Sequence, residues 1–272
     1  MPELPEVETI KRDLSRLVIG KRILDITTDS PKQVKPSLAE VKKGVVDSTI
    51  KALKRRGKLL QIMLSNGKIL TVHLKMTGRL LVRKKDTPKD NWQHVVLKLS
   101  GEKELRFADS RKFGWLRLVE NSEKLEELLV DLGSEPLDGF SIEELRTILA
   151  STSRAIKIVL MDQKKIAGIG NIYACEALWL AGIDPRRKAN SLSLREQSKL
   201  FNAIERVLKA GIKYRGASDQ YYLDALGNEG SYQDHFLVYG REGQSCRKCK
   251  KAKIKKIKLG GRGTNYCPAC QH

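Results

Sequence analysis

The sequence has no apolar run long enough to cross a membrane, and its first residues do not resemble an export signal. A membrane helix needs about 18 or more consecutive apolar residues, and no stretch of the 272 residues is that long. Residues 1–13 include acids where a signal peptide has basic residues followed by an apolar core. We therefore predict a cytoplasmic protein that does not associate with membranes.

Cysteine is scarce, and its distribution argues against a secreted protein held by disulfide bonds. The chain has five cysteines, an odd number, and four of them lie after residue 245. The fifth, Cys175, stands in an apolar stretch, 172–180. We predict that Cys175 is a small core residue and not a nucleophile.

Acidic residues are too few to balance the basic ones. Lys and Arg number 52 against 32 Asp and Glu, which gives a net charge of +20. Such a chain attracts polyanions, because each phosphate that it neutralises releases a condensed counterion. Nucleic acid is the predicted partner, since the sequence lacks the basic amphipathic helix with an aromatic face that a membrane surface would require. Solubility alone rarely needs so large an excess of one sign.

The hydrophobic pattern changes along the chain. Its spacing predicts a helix over 5–19 and then short strands over 22–119, typical of an antiparallel sandwich or barrel. After residue 120 the pattern is helical, and helices are predicted over 122–131, 141–150, 153–161, 171–181 and 193–211. The segment 214–240 lacks periodicity, which is typical of functional or disordered loops.

Two Cys-x2-Cys pairs near the C-terminus predict a metal site. Cys246 and Cys249 are separated from Cys267 and Cys270 by seventeen residues, a spacing that supplies four thiolates to one tetrahedral Zn²⁺. Four sulfur ligands leave no position for a reactive water, so the predicted zinc is structural. A redox pair is the alternative, and the doubling of the motif argues against it.

The module around these cysteines is basic and has no acid between or beside the two pairs. Its nine cations are Arg247, Lys248, Lys250, Lys251, Lys253, Lys255, Lys256, Lys258 and Arg262. The Gly260-Gly261 turn allows the backbone and Arg262 to approach a phosphate closely. We predict a hairpin, held by zinc, that grips phosphates.

The N-terminus offers a candidate nucleophile. Pro2 is small enough to permit removal of Met1, which exposes a secondary amine with a pKa near ~8. Attack of this amine on a sugar C1′ gives an iminium that acidifies the neighbouring carbon for elimination, and Glu3 could serve as acid or base. Taken alone, the same residues could be a solvated terminus.

Six motifs follow one another along the chain. They occupy 1–10 (MPELPEVETI), 55–58, 73–79, 109–114, 168–173 and 261–271. In this order they resemble the N-terminus, lysine loop, two wedge segments, helix–two-turn–helix and zinc finger of the formamidopyrimidine-DNA glycosylase family, which includes the endonuclease VIII enzymes. Leu4-Pro5, which follows Glu3, is more similar to the formamidopyrimidine branch than to the endonuclease VIII branch.

The resemblance implies an α+β fold with an N-terminal antiparallel β-sandwich domain, a C-terminal helix–two-turn–helix domain and a zinc finger. We accordingly predict a catalytic domain at 1–132, a DNA-binding domain at 133–240 with a lesion lid loop at 214–236, and the zinc finger at 241–272. The expected partner is damaged double-stranded DNA. A nucleoid-associated monomer with no small-molecule cofactor is also expected.

The resemblance further implies the site residues. Pro2 is the implied nucleophile, Glu3 protonates the sugar ring oxygen, and Lys58 holds a phosphate and aids catalysis. The remaining implied residues are Arg262 for catalysis, Met76, His94, Arg111, Phe113, Lys157 and Asn171 for DNA binding, and Glu6, Ser218, Gln220 and Tyr222 for lesion binding.

Extruding a nucleotide leaves a gap in the base stack, which costs a few kcal/mol. The resemblance implies that Met76 and Phe113 fill this gap and that Arg111 faces the orphaned base. Burial tendencies alone would make both apolar residues part of the core, whereas the neighbouring Gly78 and Gly114 favour exposed loop tips.

The predicted activity is base excision repair, in which oxidised purines leave duplex DNA and the strand is cut by β,δ-elimination. Family members that excise 8-oxoguanine often carry an Arg two residues after a Ser or Thr in the lid, where this chain has Gln220. Preference for oxidised pyrimidines or abasic sites is therefore an alternative, as is a non-catalytic lesion binder. Charge and zinc alone would also fit a zinc-ribbon protein associated with RNA or ribosomes.

Overall fold

The computed structural model describes residues 1–219 and 221–272 and divides into two compact units. The first contains 1–130 and 214–231, and the second contains 131–213 and 232–272. The first unit thus joins 214–231 to the N-terminal strands. The domain boundaries predicted from the sequence differ, because they place 214–231 in the second domain, and they stay a prediction. Over the described residues, no helix is both long and apolar enough to span a membrane.

The first unit begins with helix α1 (Leu4–Leu17). Val7, Ile10 and Leu14 recur every three or four residues and are all buried, so this stripe fixes the helix against the core. The helix ends shortly before Gly20, whose positive φ of +81° suits a reversal of the chain. The predicted helix over 5–19 is confirmed with slightly shifted ends.

Nine strands of the first unit form two sheets in the described part of the chain. They are β1 (Ile23–Thr28), β2 (Val34–Lys35), β3 (Ile50–Arg56), β4 (Leu59–Leu64), β5 (Ile69–His73), β6 (Gly78–Lys84), β7 (Gln93–Leu99), β8 (Lys103–Asp109) and β9 (Trp115–Val119). The sheet orders are β1-β7-β8-β6 and β2-β9-β5-β4-β3, antiparallel except for β2 beside β9. Both sheets contribute to one apolar core, which confirms the predicted sandwich.

The sequence pattern did not single out β3, β6 or the helix α2 (Leu38–Val45). β3 is largely basic, so its apolar alternation is short. β6 begins inside the motif at 73–79 that the resemblance assigns to a loop. The first unit also contains α3 (Ser122–Leu129), which coincides with the helix predicted over 122–131. The helix packs on β9 through Leu125.

The second unit contains the remaining helices, α4 (Ile142–Ala150), α5 (Ile156–Met161), α6 (Asn171–Ala181) and α7 (Leu194–Lys213). Each coincides with a predicted helix, and α4 begins with the expected capping box between Ser141 and Glu144. Helix α6 is buried along most of its length and packs against α7. Their close approach requires Gly211, where a Cβ would lie 2.3 Å from the Tyr173 hydroxyl oxygen.

The C-terminal hairpin consists of β10 (Lys255–Leu259) and β11 (Arg262–Tyr266). Gly260 and Gly261 both have positive φ, which permits the tight two-residue turn between the strands. The buried Glu176 carboxylate of α6 accepts the backbone N–H groups of 237–239, immediately before this module. Burial raises the pKa of Glu176, and the hydrogen bonds from these N–H groups offset only part of that rise.

Candidate active site and DNA-binding residues

The start of α1 is buried and forms a hydrogen-bonded turn. Pro2 and Glu3 are both buried, and the Glu3 N–H donates to Oε2 of Glu6 at 2.7 Å. The other oxygen of the buried Glu6 carboxylate, Oε1, accepts the Ala217 N–H at 2.9 Å. Glu6 therefore joins the turn that carries the predicted nucleophile to the segment 214–231.

Lys58 lies in a two-residue turn between β3 and β4, after Gly57 with its positive φ. A largely buried ion pair ties this hairpin to α1, with Arg55 Nε 3.0 Å from Glu8 Oε2. Burial alone would raise the pKa of Glu8, but hydrogen bonds from neighbouring arginine and lysine side chains lower it. The carboxylate stays ionised and holds the Lys58 turn against the helix.

His73 at the end of β5 is a further candidate that the sequence reasoning did not assign to the site. Burial, followed by the charges of Lys75 and Lys58, lowers its pKa to about 3. Its Nδ1 accepts the Lys75 N–H at 3.0 Å, and its ring centroid lies 5.7 Å from that of Trp115. The imidazole is therefore neutral and carries its proton on Nε2.

The loops that carry the two predicted wedge residues are neighbours, because β6 and β8 pair where these loops meet the sheet. Asp109 is buried there, and its Oδ1 accepts the Thr77 hydroxyl and, at 3.2 Å, the Arg111 N–H. The same carboxylate therefore fixes the loop of Met76 and the loop of Phe113. Asp109 is the first residue of the motif at 109–114, but its contact with Thr77 joins positions 32 apart, so the local pattern did not reveal this role.

The wedge residues themselves are not part of the core. Phe113 is 54% exposed and Met76 is half-buried. The Arg111 guanidinium carbon lies 4.7 Å from the Phe113 ring centroid, in a cation–π arrangement. A Cβ at Gly78 would lie 2.4 Å from the Leu74 carbonyl oxygen, so the turn after Met76 depends on glycine.

His94 on β7 is oriented by Asp29. The His94 Nδ1 lies 2.8 Å from Asp29 Oδ1, and this hydrogen bond lowers the pKa of Asp29. Within the described part of the chain the other ring nitrogen, Nε2, has no hydrogen-bond partner. Asp29 therefore holds the ring in place, and Nε2 is buried without a partner among the described residues.

In the second unit, Lys157 connects two predicted DNA-binding elements. Its side chain is fully buried, and Nζ donates to Asn171 Oδ1 at 2.5 Å, Thr264 Oγ1 at 2.6 Å and Gly263 O at 3.3 Å. Asn171 begins α6 and itself donates to Gly263 O at 3.0 Å. The exposed Arg262 precedes this glycine in β11, so α6 and the Arg262 strand are held together through Lys157.

The predicted lesion-binding residues of the segment 214–231 are engaged within the first unit. The Ser218 hydroxyl donates to the Tyr222 carbonyl at 2.8 Å and accepts the Gly230 N–H at 2.9 Å. Tyr222 is buried in the apolar core, and burial raises the pKa of its hydroxyl well above the usual value. Gln220 lies outside the described residues.

The four C-terminal cysteines form a compact cluster, with all sulfur atoms within 4.8 Å of one another. Cys246 and Cys270 sulfurs are 3.9 Å apart, and Cys249 and Cys267 sulfurs are 3.8 Å apart. A tetrahedral Zn²⁺ with Zn–S bonds of about 2.3 Å requires S···S edges of about 3.8 Å. Burial and the neighbouring thiols raise the pKa of Cys270 to about 12, a penalty that a bound dication removes.

Comparisons with known proteins agree with this geometry. Family models match residues 1–116 (formamidopyrimidine-DNA glycosylase N-terminal domain), 132–222 (formamidopyrimidine-DNA glycosylase H2TH domain) and 243–272 (zinc finger found in FPG and IleRS). The formamidopyrimidine-DNA glycosylase of Carboxydothermus hydrogenoformans is 46% identical, with 100% of both chains covered. The chain belongs to the formamidopyrimidine-DNA glycosylase family. The enzyme of the same name from Herpetosiphon aurantiacus is 43% identical over 100% of both chains.

Solved structures of formamidopyrimidine-DNA glycosylases show the same fold. The Lactococcus lactis Fpg in complex with DNA containing an abasic site matches with a TM-score of 0.94 at 36% identity, over 99% of both chains. A mutant of that protein in complex with DNA containing Fapy-dG matches with a TM-score of 0.94 at 36% identity, over 100% of both chains.

Membership of the formamidopyrimidine-DNA glycosylase family makes the protein a base excision repair DNA glycosylase and AP lyase that acts on damaged bases. The predicted α+β fold and the single structural zinc are confirmed by the family models and the cysteine cluster. Cys175 is buried, and burial raises its pKa to about 11, as expected for a core thiol. The roles of individual site residues stay predictions.

Proposed function

We propose that this glycosylase removes oxidised purines from duplex DNA with the amine of Pro2 as nucleophile and then cuts the strand by β,δ-elimination. The observation that carries the proposal is the buried start of α1, where Pro2 and Glu3 stand in a turn closed by Glu6. A buried, hydrogen-bonded turn fixes the amine that removal of Met1 exposes, and fixed geometry converts attack into a nearly unimolecular step.

The chemistry assigns each group a defined task. The Pro2 nitrogen forms a bond to the sugar C1′ while the damaged base leaves, and Glu3 protonates the ring oxygen as the sugar opens. The resulting iminium acidifies C2′, which loses a proton as the 3′ phosphate departs. A second elimination expels the 5′ phosphate. Loss of Glu3 should therefore slow ring opening more than DNA binding.

Phosphate binding is assigned to both units. Lys58, beside the neutral His73, supplies a cation next to the reacting nucleotide, while Asn171 and Arg262 contact phosphates elsewhere on the strand. Asn171 begins α6, and the N-terminus of a helix favours an anion. The Lactococcus lactis complexes with DNA support duplex DNA as the partner, and the net charge of +20 fits that partner.

Lys157 is given an indirect role. Because its side chain is fully buried and its Nζ contacts Asn171, Gly263 and Thr264, it positions the phosphate-binding residues around it. Direct contact between Lys157 and DNA would require this buried cluster to open.

Extrusion of the damaged nucleotide is assigned to Met76, Phe113 and Arg111. Phe113 is exposed and stacked on Arg111, an arrangement suited to filling a vacated position in the base stack. The guanidinium can then face the orphaned base.

We further propose that the enzyme is a cytoplasmic, nucleoid-associated monomer whose zinc is its one cofactor.

The proposal is tested by borohydride trapping on duplexes containing 8-oxoguanine, a formamidopyrimidine or an abasic site, each opposite cytosine. We expect a covalent complex on all three with the wild-type protein. A matched variant carries two extra residues before Pro2, which converts its nitrogen to an amide while leaving the fold intact. Trapping by the extended variant at the wild-type level would contradict the nucleophile, and binding without any trapping would favour a non-catalytic lesion binder.

A further inference from the structure

One ion cluster of the first unit lies outside every role assigned above. Nη2 of Arg215 is 2.6 Å from Asp13 Oδ2 on α1 and 2.6 Å from Asp224 Oδ2. The Asp13 and Asp224 side chains are only 6% and 1% exposed. One guanidinium therefore pairs with two buried carboxylates, and hydrogen bonding to Asp224 and Asp13 raises the pKa of Arg215.

The backbone at Arg215 is in an unusual conformation. Arg215 has φ +61° and the following Gly216 has φ +88°, so two successive residues are left-handed. Such a φ is uncommon for a residue with a side chain and is retained where surrounding contacts determine it. Arg215 turns the chain sharply into the segment 216–223, which includes Ser218 and Tyr222.

The partner Asp224 organises the other end of that segment. Its Oδ1 accepts the N–H groups of Leu226 and Asn228, both at 2.9 Å. Arg215 and Asp224 thus stand at the two ends of 216–223, and their ion pair closes the base of the loop. The second carboxylate, Asp13, fastens this closed base to the helix that begins next to Pro2.

The rest of the loop has other attachments that do not depend on Arg215. From β6, Arg79 Nε donates to the Tyr221 carbonyl at 2.7 Å and Arg83 Nη1 to the Leu226 carbonyl at 2.8 Å. Tyr222 and Ala225 are buried in the core. These contacts hold the returning part, 221–226, whereas Arg215 and the Ala217 contact with Glu6 hold the outgoing part.

We infer that Arg215 is a positioning residue that sets the preference of the enzyme for a damaged base over an abasic site, by holding the outgoing half of the loop 216–223 on α1. The inference rests on the proposed function and on the lesion lid loop that the sequence predicts at 214–236, which is expected to cover the extruded base. An abasic site presents no base to the loop. Displacing the outgoing half should therefore impair base excision and leave elimination at a preformed abasic site intact.

Without the guanidinium, two buried carboxylates face each other with no cation between them. They repel, or one takes up a proton. Either response releases the sharp turn at 215–216. Lysine keeps the charge but reaches both carboxylates less well than the planar guanidinium, so Arg215→Lys should recover part of the effect.

The test compares Arg215→Met with Arg215→Lys and with Arg22→Met as the matched control. Arg22 belongs to the same unit and has an exposed 3.9 Å ion pair with Asp47. Single-turnover rates are measured for base release from a duplex carrying the lesion that the wild type excises fastest, and for strand cleavage at a preformed abasic site. Thermal unfolding is followed in parallel.

We expect Arg215→Met to slow base release by at least about tenfold, because misplacing a group that positions the substrate lowers the rate by about this factor or more. Cleavage at the abasic site should change by less than about twofold. Arg215→Lys should be intermediate and Arg22→Met unchanged. Equal loss of both activities, or no loss of either at an unchanged melting temperature, would overturn the inference. If the wild-type protein itself forms no Schiff base on abasic DNA, the proposed function has failed instead.

Discussion

Replacement of Lys157 by Met separates an indirect role from direct phosphate contact. The side chain is fully buried, and its Nζ donates to Asn171 Oδ1 at 2.5 Å, Thr264 Oγ1 at 2.6 Å and Gly263 O at 3.3 Å within the second unit. Met has similar length and volume, so it should fill the space without leaving a cavity. What is lost is the link between Asn171 and the strand that begins at Arg262.

The structure sets the size of the expected effect on stability. Each hydrogen bond contributes about 0.5–1.5 kcal/mol net, so the three bonds to Asn171, Thr264 and Gly263 would amount to roughly 1.5–4.5 kcal/mol. Replacing a buried amine by a thioether also removes its desolvation penalty, which offsets part of this loss. We expect Lys157→Met to lower the free energy of unfolding by about 1–3 kcal/mol, measured by urea denaturation of the zinc-bound protein.

Salt dependence of DNA binding distinguishes the two roles. A residue that contacts a phosphate changes the slope of log Kd against log salt by about one when it is removed. Arg262→Met should reduce the slope by about this amount, whereas Lys157→Met should weaken binding at every salt concentration with an unchanged slope. A reduced slope for Lys157→Met would refute the positioning role and restore direct contact with DNA.

Three further predictions follow from the buried site residues and the metal. Glu6→Gln replaces one acceptor oxygen by an NH2 group that faces either the Glu3 or the Ala217 N–H. Single-turnover trapping on abasic DNA should therefore slow by about tenfold with Kd little changed. An unchanged rate would contradict the role of Glu6 in joining the Pro2 turn to the segment 214–231. Removal of zinc by a chelator should abolish DNA binding, yet circular dichroism should retain the β signal of the first unit, and zinc readdition should restore binding. The pKa of His73 is lowered to about 3 in the folded protein, whereas in the unfolded chain it is near ~6.5. Between these two pH values the unfolded chain binds a proton at His73 and the folded chain does not. Stability should therefore fall as the pH drops from ~6.5 towards 3, and His73→Gln should flatten this dependence in denaturation curves; parallel pH profiles for the two proteins would exclude the buried neutral imidazole.

The elements with local signals were predictable from the sequence. Two Cys-x2-Cys pairs determine a four-sulfur site whatever surrounds them, and the cluster of sulfur atoms has the expected size. Helix α1 was evident because its apolar residues recur at helical spacing. Strand β3 was missed because basic residues occupy most of its positions.

Contacts between distant positions could not be predicted in the same way. Arg215 and Asp13 are 202 positions apart, and Lys157 meets Thr264 across 107 positions. A lysine in a strongly basic chain is expected on the surface, and nothing local marks Lys157 as buried. The segment 214–231 has no periodicity, yet Tyr222 and Ala225 pack into the sandwich core. Its order depends on individual side-chain contacts, which a pattern of hydrophobicity does not record.

The most direct test of the central claim is to locate the covalent bond. The wild-type protein is trapped with borohydride on duplex DNA containing an abasic site, digested with protease and nuclease, and analysed by tandem mass spectrometry. We predict that the sugar remnant lies on the nitrogen of Pro2, in an N-terminal peptide that has lost Met1. A remnant on Lys58 or any other lysine, with Pro2 unmodified, would contradict the account.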